Sequence, residues 1–154
     1  MSGQRILRYA LGLMAGSLLL ATASQAATEV LIYRVSGVYD FSLFQRATAV
    51  HCTNYDSTAA TVRVKFRNEA GMIVSNVTAS ALPNGTVTFT TNDTEAYTET
   101  VVAASSRIEQ GTAIISATTR KIVCSANGMW TKGIYPAGLE LHMVRFNQAA
   151  GQSD

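Results

Sequence analysis

Alternation of apolar and polar residues is clearest from Thr61 to Asn68, where Val62, Val64 and Phe66 share one face and Arg63, Lys65 and Arg67 the other. A period of two predicts a strand with one face in the core and one in water. Asn68-Glu69-Ala70-Gly71 supplies turn chemistry, with glycine where a positive φ is wanted, so Met72–Thr78 is expected to return antiparallel beside it. Leu82-Pro83-Asn84-Gly85 is a second turn signal, and Thr86–Thr91 then sets three threonines against Val87 and Phe89, another strand expected to be half exposed. Upstream, Val30–Val35 reads as a first strand broken by Gly37, and the aromatic connection Tyr39, Phe41, Phe44 is expected to cover the open end of the core. Ala47–Asn54 follows as a strand with Val50 and Cys52 on one face and His51 turned outward.

Downstream, Gly111–Trp130 has two Ile/Val-rich runs around the polar link Thr118–Lys121, and the spacing predicts a hairpin carrying Cys124. Asn127-Gly128 signals a further turn, Trp130–Gly138 with Pro136 a connection, Leu139–Phe146 a last strand, and Asn147–Asp154 a polar tail. Residues 92–106 read as an irregular loop: Asp93 is a candidate helix cap, but the apolar spacing after it is too poor for a helix. Short strands between turn signals predict an all-β fold, a small antiparallel β-sandwich of immunoglobulin-like character. An immunoglobulin domain proper would set its tryptophan between the cysteines, whereas Trp130 follows both.

The N-terminus changes the picture of the domain. Arg5 and Arg8, the apolar run Leu11–Ala21 and the small residues of Ser24-Gln25-Ala26 have the form of a secretory signal cut after Ala26. The apolar run is shorter than the ~20 residues a membrane span needs. The expected organisation is therefore 1–26 signal peptide, 27–146 one β-sandwich domain and 147–154 tail. Loss of Arg5 and Arg8 brings the 12 basic residues level with the 10 acidic ones. A neutral domain has no electrostatic case for nucleic acid or, once the signal is gone, for a membrane.

Export also bears on Cys52 and Cys124, the two cysteines of the chain, because the compartment is oxidising and paired thiols are the rule there. A Cys52–Cys124 disulfide would stabilise the fold by about 4 kcal/mol on loop entropy. Redox chemistry would need closer spacing, such as Cys-x-x-Cys.

Candidate chemistry is sparse. His51 and His142 are the histidines, and Glu140 with His142 at i, i+2 gives two ligands on one expected strand face, too few for a metal site, so no metal and no cofactor is expected. No Gly-x-Ser-x-Gly elbow is present, and a triad of His51, Asp56 and some serine has no pattern behind it. Asp93, Glu95, Glu99 and Glu109 cluster where a solvated loop is expected rather than as two carboxylates across a cleft. Arg63, Lys65 and Arg67 form a cationic stripe that repels itself. It is expected to be neutralised by the acidic stretch 93–109 or a cross-strand Glu, or to hold an anionic ligand or partner. Trp130 and Tyr135, with Tyr97, are a candidate aromatic platform for a sugar ring. Asn76, Asn84 and Asn92 head Asn-x-Thr triplets, which a glycosylating pathway would recognise.

No named family is legible in these motifs. The expected function is that of a non-enzymatic exported protein of the periplasm, cell surface or medium, acting by binding another protein or a surface glycan, or by structural association. Two other classes are a strand-accepting pilus or surface-assembly subunit and an enzyme with an unfamiliar site.

Overall fold

The computed structural model describes residues 28–103, 107–132 and 138–146, so the expected signal peptide, the tail and Tyr135 lie outside the described residues. Ten strands run in chain order: β1 Val30–Asp40, β2 Arg46–Asn54, β3 Ala60–Arg67, β4 Ile73–Ala81, β5 Thr86–Thr90, β6 Val101–Val102, β7 Ile108–Ala117, β8 Ile122–Trp130, β9 Leu139–Glu140 and β10 Met143–Arg145. They form two five-stranded sheets, sheet I in the order β10-β1-β7-β3-β4 and sheet II in the order β6-β5-β2-β8-β9. All pairs are antiparallel except β5–β6. The expected sandwich is the fold.

The core between the sheets follows from the alternation. Val62, Val64 and Phe66 of β3 are fully buried, facing a layer that includes Val50, Phe89 and Ile122 from sheet II. Each such side chain contributes roughly 1.5–3 kcal/mol through removal from water. The β3–β4 hairpin forms as the turn residues require, with Gly71 at φ 78 and its N–H donating to the Asn68 carbonyl at 2.9 Å. The Leu82–Gly85 turn is closed by Gly85 N–H to the Leu82 carbonyl at 2.8 Å, with Asn84 in the left-handed region.

The hairpin expected over Gly111–Trp130 does not form. β7 lies in sheet I between β1 and β3, and β8 in sheet II between β2 and β9, so Thr118–Lys121 is an arch between sheets. The link has no Gly or Asn for the positive-φ positions of a two-residue hairpin turn. Each strand instead finds long register elsewhere, β8 along the whole of β2 and β7 along both β1 and β3. Asp56 pins the arch, accepting from Thr119 Oγ1 at 2.6 Å and lying 3.5 Å from Lys121 Nζ.

Three further expectations are corrected. Gly37, at φ 78, sits at an irregularity in the β1–β7 register and bends β1 rather than ending it. Asn127-Gly128 continues β8, because β2 pairs it through to Trp130. The single last strand is two, since the chain passes from sheet II to sheet I across Leu141 and His142. That passage separates Glu140 from His142 as strand-face neighbours.

Residues 91–100 are irregular, as expected, but they are not idle. The excursion returns to β5 through Thr100 N–H to the Thr88 carbonyl and Ala103 N–H to the Thr90 carbonyl. It lays Ala96 and Tyr97 against Ala47, Ala49 and Met129 on the outer face of sheet II. β5 is consequently buried on both faces from Val87 to Thr90, where half exposure was expected.

Candidate binding face

Cys52 and Cys124 are bonded, as expected, with Cα atoms 4.1 Å apart. They are direct cross-strand partners in β2 and β8, so the bond lies within sheet II instead of joining the two sheets as in an immunoglobulin domain. Cys52 is buried in the core and Cys124 is partly buried against it, and the bond is closed, a structural element.

The basic stripe sits where alternation places it, on the outer face of sheet I, and the tertiary structure enlarges it. Strand register lines up Val144, Arg34, Ile114, Lys65 and Asn76 in one row across all five strands. Ser36, Thr112 and Arg67 make the adjacent row, and Leu31, Ser116, Arg63 and Thr78 the one on the other side. Arg34 thus joins the three residues of β3. Its sequence signal was weak, a lone arginine inside an apolar run.

The neutralising partner is neither the acidic stretch nor a cross-strand Glu. Glu29, just before β1, takes both carboxylate oxygens to Arg63 Nε at 2.9 Å and also accepts from Ser116 Oγ at 2.9 Å. Partial desolvation pushes the Glu29 pKa up, but the hydrogen bonds from Ser116 and Arg63 and the charges of Arg63 and Lys65 outweigh it, holding the carboxyl below its ordinary value. Glu99 instead accepts from Thr94, and Glu109 pairs with Arg107.

Arg34, Lys65 and Arg67 form no salt bridge with a carboxylate among the described residues, although the charge of Lys65 is felt by Glu29. Arg34 lies 5.5 Å from the Phe146 ring centroid, and Arg67 Nη1 donates to the Gly71 carbonyl at 3.0 Å. Arg67 Nε is buried and has no hydrogen-bond partner, an open donor of a kind that folded proteins usually satisfy. Arg34 and Arg67 border a hollow of about 480 Å³ lined also by Ser36, Thr112 and His142 and by apolar residues that include Ile114 and Val144; no carboxylate lines it, and Lys65 stands outside it. Two guanidinium groups, an imidazole and two hydroxyls stand around a concavity whose wall is otherwise apolar, a cationic rim able to meet oxyanions.

The aromatic platform is altered. Trp130 is 44% exposed, but Arg46, its cross-strand partner, lies over the indole at 4.8 Å and reaches Tyr39 at 5.6 Å. One face of the ring is thereby occupied by a cation. Tyr97 is elsewhere, edge-on to His51 with centroids 4.5 Å apart.

His51 is on the outer face of sheet II, as alternation predicts, yet Tyr97 covers it. Its Nδ1 is 3.0 Å from Thr88 Oγ1, Nε2 is buried without a partner, and desolvation holds its pKa below the ordinary value. Asp56 is engaged with the arch through Thr119 and Lys121. Glu140 and His142 both border a shallow hollow beside Cys124 and Ser125. Among the described residues no group of three His, Cys, Asp or Glu side chains comes together, and no helix is long and apolar enough to cross a membrane. Comparison with family models, curated proteins and solved structures gives no match at any of the three levels.

Proposed function

We propose that this is an exported, non-enzymatic binding protein whose outer face of sheet I recognises polyanions, such as an acidic or sulfated surface glycan. The observation that carries the reading is the hollow lined by Arg34, Arg67 and His142, with Lys65 in the adjoining row and no carboxylate in its lining. The disulfide, the leader-like N-terminus and the zero net charge of the mature chain are compatible with export. A charge-assisted hydrogen bond is worth about 1.5–3 kcal/mol, and association itself costs about 4 kcal/mol or more. A single small anion therefore gains little here. A polymer that meets successive rows adds its contacts without repeating the association cost.

The test is binding of the oxidised mature protein to a sulfated polysaccharide and to polygalacturonate, with neutral dextran as control, between 50 and 300 mM salt. Binding should weaken steeply with salt. Arg34→Gln with Arg67→Gln should cost about tenfold per arginine, while Glu29→Gln, which releases Arg63, should tighten binding. Absence of binding at low salt, or binding indifferent to these three changes, removes the reading.

A further inference from the structure

We propose that a second hollow, lined from both sheets and sharing no residue with the cationic one, binds a medium-chain fatty acid, an apolar chain ending in one carboxylate. It has a volume of about 520 Å³ and is bordered by Tyr39 of β1, Arg46 of β2, Gly128 and Trp130 of β8, and Leu139 and Leu141 where the chain passes between the sheets. Small-molecule sites typically span about 300–1,000 Å³ and join a mostly apolar lining to a few placed polar groups. Apart from Arg46, every lining residue is aromatic, apolar or glycine, and no carboxylate lines the hollow.

The space is written into β8. Ile122 and Ala126 lie in the core and Cys124 packs against it, and unbroken pairing with β2 carries the same strand face on to Gly128 and Trp130. Side-chain size thus shrinks to nothing before the indole. Gly128 does not have a positive φ, and a Cβ there would meet Leu141 Cδ2 at an ordinary 3.7 Å. Neither the backbone nor the packing demands glycine, which weakens a strand; close approach of a ligand is a reason for keeping it. Leu141 Cδ2 stands 3.6 Å from the Cβ position at Gly37 of β1, so its side chain spans the gap between the sheets at one end of the hollow. Arg46, opposite Trp130, stands about 7 Å further along β8.

Arg46 supplies the recognition of the carboxylate. Its backbone exchanges hydrogen bonds with Phe41 at 3.1 and 3.3 Å, and its guanidinium lies 4.8 Å from the Trp130 ring centroid and 5.6 Å from that of Tyr39. Stacking uses the faces of a guanidinium, whereas its N–H donors lie in its plane and can hold a carboxylate by two parallel hydrogen bonds. Arg46 forms no salt bridge among the described residues. A small anion would leave the apolar wall wet, and a neutral chain would leave the guanidinium unpaired. A fatty acid satisfies both.

Trp130 is the one tryptophan of the chain, so its emission reports on this site directly. Titration of the oxidised mature protein with decanoate, followed by that emission and by calorimetry with no polyanion present, should show saturable binding with a dissociation constant of roughly 0.1 mM or tighter. Decanol and acetate should each bind at least about tenfold more weakly. Arg46→Gln should weaken decanoate binding by about tenfold or more. Gly128→Ala should weaken it several-fold without lowering the urea midpoint, and decides the matter if Arg46→Gln fails to fold. Arg34→Gln with Arg67→Gln should leave it intact, which separates this site from the polyanion face. No binding up to roughly 1 mM decanoate, decanol binding as tightly as decanoate, binding that Arg46→Gln and Gly128→Ala leave unchanged, or binding lost with Arg34 and Arg67 overturns the proposal.

Discussion

Replacing both cysteines, Cys52→Ala with Cys124→Ala, should cost about 5 kcal/mol while leaving the strand arrangement unchanged. The bond closes a loop of 72 residues, which on loop entropy restricts the unfolded chain by about 4 kcal/mol at 25 °C. Loss of the sulfur packing of Cys52, fully buried in the core, adds roughly 1 kcal/mol. Typical domains are stable by about 5–15 kcal/mol in total, so the variant should sit near the edge of folding. In the native state β2 and β8 remain paired from Arg46–Trp130 to Asn54–Ile122 without the bond, so any folded fraction should keep its β spectrum. The assay is urea unfolding of the oxidised protein, the reduced protein and the double variant. With a slope of about 1–3 kcal/mol/M, the midpoint should fall by about 2–5 M, and the slope should rise as the unfolded chain expands. Reduced protein, which keeps both sulfurs, should lose about 4 kcal/mol, about 1 kcal/mol less than the double variant. A loss under about 1 kcal/mol would refute the reasoning, as would alkylation of either thiol in the native oxidised protein.

Two other expectations concern single residues. His51 has a folded-state pKa below its unfolded value, through burial under Tyr97, so its contribution to stability is present above about pH 6.5 and is lost as the pH falls through the folded value. Melting temperatures between pH 8 and pH 5 should show this decline, and His51→Gln should flatten it; an equal decline in the variant excludes His51 as its source. A Cβ at Gly111 would stand 2.2 Å from the Arg67 carbonyl oxygen and 2.4 Å from Ile108 Cγ2, so Gly111→Ala should cost about 2–4 kcal/mol in chemical unfolding. Gly71→Ala, strained only by its positive φ with open space around it, should cost about 1 kcal/mol, and a reversal of that order would contradict the packing of β3 against β7.

Much of the fold was legible because burial leaves a local mark on sequence. β3 shows it most plainly: Val62, Val64 and Phe66 could be assigned to the core, and Arg63, Lys65 and Arg67 to the outside, from alternation alone. Position in a sheet leaves no such mark. Nothing in Ile108–Ala117 or Ile122–Trp130 names the neighbouring strand, and two adjacent β segments with a polar link look alike whether the link is a hairpin or an arch. The half-exposure expected of Thr86–Thr91 failed for a related reason, since a threonine face is compatible with water or with a covering loop, and here residues 91–103 supply the loop.

The candidate face divides in the same way. Its β3 cations come from one run of sequence, but Arg34, Arg67 and His142 meet around a hollow because β1, β7 and β3 pair in a particular register, and Glu29 reaches Arg63 only across that register. The Arg46–Trp130 stack, which covers the expected sugar platform, is likewise a cross-strand pair separated by most of the chain. By itself, then, the sequence determined that the chain is built of strands, where most of them lie, the two faces of β3, and that two cysteines were available to bond. Tertiary structure alone decided which strands are neighbours and which charges find a partner, because those outcomes depend on hydrogen-bond register between segments remote along the chain.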